Sequence, residues 1–177
     1  MRAILAVSLA ALTALPQAPF VPTPPDVVDQ MLALADLGPS DVVYDLGCGD
    51  GRIVIAAARR HGARGVGVDI DPQRIEEAQR NAKAAGVGHL VTFRVEDALE
   101  TDLSEATVVT LYLVASLNAR LRPRLMTQLR PGARIVSHNF PIGDWEPDRA
   151  QTFTSADGQT RTLFRWTLGV VKLGVGI

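Results

Sequence analysis

Seven consecutive residues constrain this chain more than any others: Asp45-Leu46-Gly47-Cys48-Gly49-Asp50-Gly51. They join a short apolar run, residues 42–46, to an alanine-rich stretch, residues 53–61, that ends at Gly62. The β-branched run predicts a strand and the alanine-rich stretch predicts a helix. Three alternating glycines between them let the backbone turn tightly and come close to a ligand. The N-terminus of the following helix offers free N–H groups. Asp69 closes the next apolar run, 18 residues past Gly51. A carboxylate at that spacing accepts hydrogen bonds from ribose hydroxyls, and ligands of open parallel sheets lie beyond the carboxyl ends of the strands.

The rest of the chain repeats the strand–helix alternation. Asp71-Pro72 opens a helix with an N-cap carboxylate and a proline at the first helical position. That helix is expected to run to Ala85 and to stop at Gly86. Residues 91–95, 107–113 and 133–137 read as further strands. Residues 115–129 read as helical, in two pieces, because Pro123 suits the start of a helix better than its interior. Residues 152–155 and 160–168, joined through Asp157-Gly158, read as an antiparallel hairpin. Ahead of all this, apolar residues from Val27 to Ala35 recur at helical spacing and stop at Gly38-Pro39. The expected fold class is α/β: a Rossmann-like, mostly parallel sheet with helices on both faces and an antiparallel C-terminal hairpin.

Composition narrows the function classes. The net charge is -1 with a pI near 6.3, so the chain lacks the basic balance of a nucleic-acid binder. Nucleic acid is therefore not an expected partner. Cys48 is the single cysteine, which excludes an intramolecular disulfide. His61, His89 and His138 stand far apart and show no metal-ligand spacing, so no metal is expected.

The N-terminus pulls in another direction. Arg2 precedes an apolar run, residues 3–15, which resembles a secretory signal and is shorter than the roughly 20 residues of a membrane span. Residues 1–18 are read as a signal-like or anchoring segment, a possible membrane tether, or a mis-called start. Residues 19–177 are read as the working domain. Residues 16–25 hold five prolines and, on composition alone, read as an extended linker.

The glycine loop does not satisfy the dinucleotide fingerprint G-x-G-x-x-G, because position 52 is Arg52 where that pattern needs glycine. Asp-Leu-Gly-Cys-Gly-Asp-Gly, followed by Gly67-Val68-Asp69-Ile70-Asp71-Pro72, resembles motif I and the second acidic motif of class I S-adenosylmethionine (SAM)-dependent methyltransferases. The resemblance spans nearly everything from Phe20 to Pro147 and implies a seven-stranded sheet with strand 7 antiparallel. It also implies site roles. Asp45, Gly47, Gly49 and Gly51 would hold the methionine part of SAM, Asp69 the ribose, and Asp97 the adenine amine.

A narrower resemblance rests on residues 20–28 (FVPTPPDVV), 104–110 (SEATVVT) and 134–147, with RIVSHNF and GDWEP. These are similar to the archaeal broad-specificity protein-lysine methyltransferases and to the mitochondrial enzymes that methylate a lysine of the ATP synthase c-subunit. In that family the V-P-T-P element belongs to the cofactor and substrate entrance, which implies that Thr23 faces SAM and that the proline stretch is a wall of the site. After the fourth strand, Thr110-Leu111-Tyr112-Leu113 stands where adenine-N6 and glutamine methyltransferases carry [N/D]-P-P-[Y/F]. Tyr112 is the candidate for positioning a substrate amine. Asn118 and His138-Asn139, near strand ends, are further candidates, and Trp145 is either a channel wall or a core residue. The implied enzyme transfers methyl groups to protein lysine. A small-molecule methyltransferase and a non-catalytic SAM-binding module are the alternatives.

Overall fold

A computed structural model describes residues 21–169; the signal-like segment 1–18 lies outside them. Seven strands form one sheet in the order β3-β2-β1-β4-β5-β7-β6. The first five, β1 (Val42–Leu46), β2 (Arg64–Asp69), β3 (Val91–Val95), β4 (Val108–Leu111) and β5 (Arg134–His138), are mutually parallel. The hairpin strands β6 (Arg149–Thr154) and β7 (Thr160–Thr167) close the sheet, with β7 antiparallel to both β5 and β6. Strand order reverses between β1 and β4, so the crevice beyond their carboxyl ends is where a ligand fits.

Alternate residues of β1 explain how the two faces are covered. Val43 packs with α1 (Pro25–Leu34) and α2 (Arg52–His61), through Val27, Met31, Leu32, Ile53 and Ala57. Val42, Tyr44 and Leu46 point the other way, toward Leu121 and Leu125 of α4 (Ala115–Gln128) and toward Trp166. The remaining helix, α3 (Pro72–Ala84), covers Phe93 of β3 with Ile75 and Ala78. Helices thus lie on both faces, three on one and α4 on the other. The fully buried run of β1 is what a strand covered on both sides requires.

Three expectations are corrected. The helix expected in two pieces is one continuous α4, with Pro123 inside it. A proline there leaves the carbonyl of Ala119 without its helical donor. Ala119 and Pro123 are both exposed, so water can take the freed carbonyl, while Leu121 and Leu125 hold the opposite side in the core. The proline-rich stretch, from its first described residue, is no linker either. Pro24 and Pro25 cap and open α1, and Thr23 is buried against the glycine loop, where its carbonyl accepts a 2.9 Å hydrogen bond from Arg52 Nη1. Proline at the first helical position is pre-organised for a helix start, so the same residues that resemble a spacer anchor the chain. Strand β4 also ends sooner than expected, at Leu111, which leaves Tyr112 and Leu113 off the ladder.

Candidate functional site

A cleft of about 730 Å³ opens at the carboxyl ends of β1, β2, β3 and β4. That volume lies within the range of small-molecule cofactor pockets. The glycine loop forms its floor. Gly47 and Cys48 both donate backbone hydrogen bonds to the carbonyl of Val68 at 2.9 Å, which folds the loop back over β2. Gly51 then turns into α2 at φ +79, with Phe93 and Ala78 directly beneath it. A Cβ on Gly51 would lie 2.7 Å from the Phe93 ring, and the left-handed backbone disfavours other residues independently.

Asp69 organises the loop from the end of β2. Its Oδ2 accepts the Gly49 N–H and its Oδ1 accepts the Asp71 N–H, each at 3.0 Å. A carboxylate has further lone pairs beyond these two bonds, and Asp69 lines the cleft, so it can take hydroxyl donors from a ligand. Asp45 is different. It is 3% exposed and accepts one side-chain hydrogen bond, from the Thr110 hydroxyl at 2.7 Å. Burial pushes its carboxyl up to about 7; the Thr110 hydroxyl pulls it down, and the nearby Asp69 and Asp50 charges add to the rise. A buried acid in this state is completed by a cation arriving in the cleft. Asp50 is already matched, by a 2.5 Å salt bridge to Arg52.

The opposite wall is apolar and aromatic. Tyr112, Leu113, Val114, Leu117 and Phe140 line it. Behind Tyr112, the His138 ring stacks at 3.9 Å between centroids. His138 is fully buried. Burial holds its imidazole down to about 4, and the Arg161 charge adds to this while Asp157 opposes it, so the ring is neutral at ordinary pH. Asn118, also fully buried, donates to the Ser137 hydroxyl at 3.2 Å and to the Phe140 carbonyl at 3.0 Å. The Ser137 hydroxyl donates to the same carbonyl at 2.5 Å. This clamp sets the loop that presents Phe140.

Thr23, Asp45, Gly47, Asp69, Asp97 and Tyr112 therefore come together around one cleft. Gly49 and Gly51 do not line it; they shape the loop from behind. Asp97 stands exposed at the rim, with one carboxylate oxygen accepting the Leu99 N–H at 2.8 Å. Asn118 and His138 support the wall without lining it, and Asn139 pins β7 by accepting the Thr162 N–H. Trp145 is a packing residue: it lies 5.9 Å from Trp166 and its carbonyl accepts the Trp166 indole N–H. Sequence reasoning missed Ile70, Glu96 and Phe140 as cleft residues. Ile70 carried a signal, being a large apolar residue wedged between two aspartates at a strand end.

Residues 45–149 match the family model described as the ANTKMT methyltransferase domain. The chain belongs to this methyltransferase family. It is 42% identical to a protein-lysine N-methyltransferase of Saccharolobus islandicus, over 89% of this chain and 98% of that one. It is 33% identical to the ATP synthase c-subunit lysine N-methyltransferase of Xenopus laevis, spanning 73% of this chain and 57% of that longer protein. A crystal structure described as an RNA methyltransferase of Salinibacter ruber, in complex with S-adenosyl-L-homocysteine, is 54% identical. It covers 89% of this chain and 100% of its own, with a TM-score of 0.79. This methyltransferase uses SAM. The cleft fits it: a close-approach glycine floor, a buried acid short of a cation, and a second carboxylate with acceptor capacity free.

Proposed function

We propose that this methyltransferase moves the methyl group of SAM to the ε-amine of lysine in proteins. The observation that supports the reading best is the 42% identity to the Saccharolobus protein-lysine enzyme, which runs over nearly the whole of both chains. The acceptor side of the cleft agrees with it: Tyr112, Leu113 and Phe140 form an apolar, aromatic wall that suits a desolvated amine better than a phosphate backbone.

In this reading Asp45 would face the amino group of SAM, Gly47 and Cys48 of the glycine loop would hold its methionine part with Gly49 and Gly51 shaping the loop behind them, Asp69 would take the ribose hydroxyls, Asp97 the adenine amine, and Thr23 would close the entrance. When bound, SAM supplies an electrophilic methyl group on a sulfonium sulfur. The chain's own task is alignment and exclusion of water. The lysine nitrogen must be neutral to attack, although its ordinary pKa is about 10.4. Leu113, Phe140 and the Tyr112 ring desolvate it, which favours loss of its proton to solvent. The N–C bond then forms as the C–S bond breaks, and the electron pair stays on sulfur. Because desolvation and the nearby sulfonium charge favour the neutral amine, no strong general base is required, and Tyr112 positions the amine.

Two measurements test this. Methyl-labelled SAM is offered to the purified protein with a cell-extract protein fraction, an RNA fraction and a metabolite fraction, and the labelled product is hydrolysed. Methyl-lysine is the expected product. Label in RNA, the substrate class named for the Salinibacter enzyme, would overturn the lysine reading, as would label confined to metabolites. Bound SAM with no transfer at all would leave a binding module.

The second measurement is SAM affinity against pH. The folded Asp45 carboxyl is raised from 3.8 to about 7, so below pH 7 the empty site holds a proton that a cationic amine must displace. Affinity should rise as pH approaches 7 and level off above it, by up to tenfold per pH unit for one proton. Asp45→Asn should bind more weakly and flatten this dependence between pH 5 and 7. An unchanged slope in that variant would remove Asp45 from the site.

A further inference from the structure

His138 has no contact with the cleft, yet its place against Tyr112 is unusual. Tyr112 lies one residue beyond the end of β4, so no strand pairing holds it. No side chain among the described residues hydrogen-bonds its hydroxyl, and two aromatic rings lie against or beside it: His138 at 3.9 Å and 28° between planes, then Phe140 at 6.4 Å and 27°. The imidazole in turn is fully buried, and neither ring nitrogen has a hydrogen-bond partner among the described residues. Leaving both nitrogens unpaired costs stability. An aliphatic side chain would fill the space without that cost, but would not offer a flat ring for Tyr112 to lie on. His138 itself is rigidly placed, as the last residue of β5, paired with Leu163 of β7.

We propose that His138 is a positioning residue for methyl transfer: its ring is the platform that fixes the orientation of Tyr112 at the wall of the cleft. The proposal rests on the reading that Tyr112 aligns the substrate amine. A tyrosine in a loop, whose hydroxyl no described side chain bonds, has its ring angle set by what it stacks on. Removing the platform frees the ring without removing it. Alignment of the acceptor then suffers, while the cofactor side of the cleft, built on β1 and β2, stays as it was. This predicts a fall in turnover with no change in the use of SAM.

The experiment uses the full chain, methyl-labelled SAM and a cell-extract protein fraction as acceptor, with initial rates measured over a range of SAM concentration. Four variants are compared: His138→Leu, His138→Phe, Tyr112→Ala and the Leu/Ala double variant. His138→Leu is expected to lower kcat about tenfold, with KM for SAM within twofold of the parent. His138→Phe, which restores a flat ring, is expected to recover most of that loss. In the Tyr112→Ala background His138→Leu should cost nothing further, because its effect runs through the tyrosine. If His138→Leu is equally costly with and without Tyr112, or if KM for SAM rises with it, the histidine is structural and the proposal falls. A costly Tyr112→Ala beside a silent His138→Leu would overturn this proposal alone. A silent Tyr112→Ala would overturn both it and the role given to Tyr112. Thermal melts separate loss of fold from loss of alignment. Should His138→Leu fail to fold, the His138→Phe and Tyr112→Ala pair carries the test, since a His138→Phe variant that loses turnover as Tyr112→Ala does would equally overturn the platform role.

Discussion

Asp69→Ala should weaken SAM binding at least 100-fold, measured by titration calorimetry on the purified protein. The expectation combines two losses. The first is the pair of backbone bonds by which the carboxylate holds Gly49 and Asp71, each 3.0 Å long. The second is the acceptor for the ribose hydroxyls. A hydrogen bond to a charged group contributes about 1.5–3 kcal/mol, and 100-fold corresponds to about 2.8 kcal/mol. A single such bond reaches that figure only at the upper end of the range, so loss of several should pass it. Asp69→Asn keeps one acceptor oxygen and should fall between the parent and the alanine variant. An alanine variant that binds SAM within threefold of the parent would remove Asp69 from the cofactor site.

Gly51→Ala should produce a large loss of stability. Two causes act at one position. Its φ of +79 is left-handed, which costs a residue with a Cβ about 1–2 kcal/mol. The new methyl would also lie 2.7 Å from Phe93 and 2.9 Å from Ala78, and overpacking of this kind costs about 1–3 kcal/mol. Together these are about 2–5 kcal/mol, a large part of the 5–15 kcal/mol that holds a typical domain together. The melting midpoint should fall by about 5–15 °C at the scaling expected for a chain of this size. Gly62→Ala serves as the control. It is also left-handed, at φ +69, but its Cβ would meet only Pro39, at an ordinary 3.7 Å. It should lose only the backbone component. If the two variants melt together, the packing of Phe93 beneath the glycine loop contributes nothing.

Both predictions concern residues that were legible in the sequence, and the reason is local. Gly47, Gly49 and Gly51 stand at alternate positions between a β-branched run and an alanine-rich one, and glycine in such numbers is costly unless the backbone must turn. Asp69 could be placed because the β1–α2–β2 unit has a nearly fixed length, which brings the end of β2 beside the end of β1. The mostly parallel sheet and its closing hairpin followed from the same alternation of periods, and the count of seven strands with the last antiparallel followed from the family resemblance.

Other features depended on neighbours far away in the chain. Pro123 is a helix breaker by its own chemistry, and α4 tolerates it because the broken bond faces water while Leu121 and Leu125 stay packed. Residues 21–25 have the composition of a spacer, and they become part of the site through Arg52, 29 positions on from Thr23. His138 was one of several strand-end candidates until the sheet order placed β5 next to β4 and set its ring behind Tyr112 instead of in the cleft. Local sequence determined where the strands, the glycine loop and the first two carboxylates fall, because turn strain and hydrophobic period act over a few residues. Only the tertiary structure decided which ring backs which, which proline is tolerated and which carboxyl is starved of partners. Those outcomes depend on burial and contact between segments that the chain brings together only by folding.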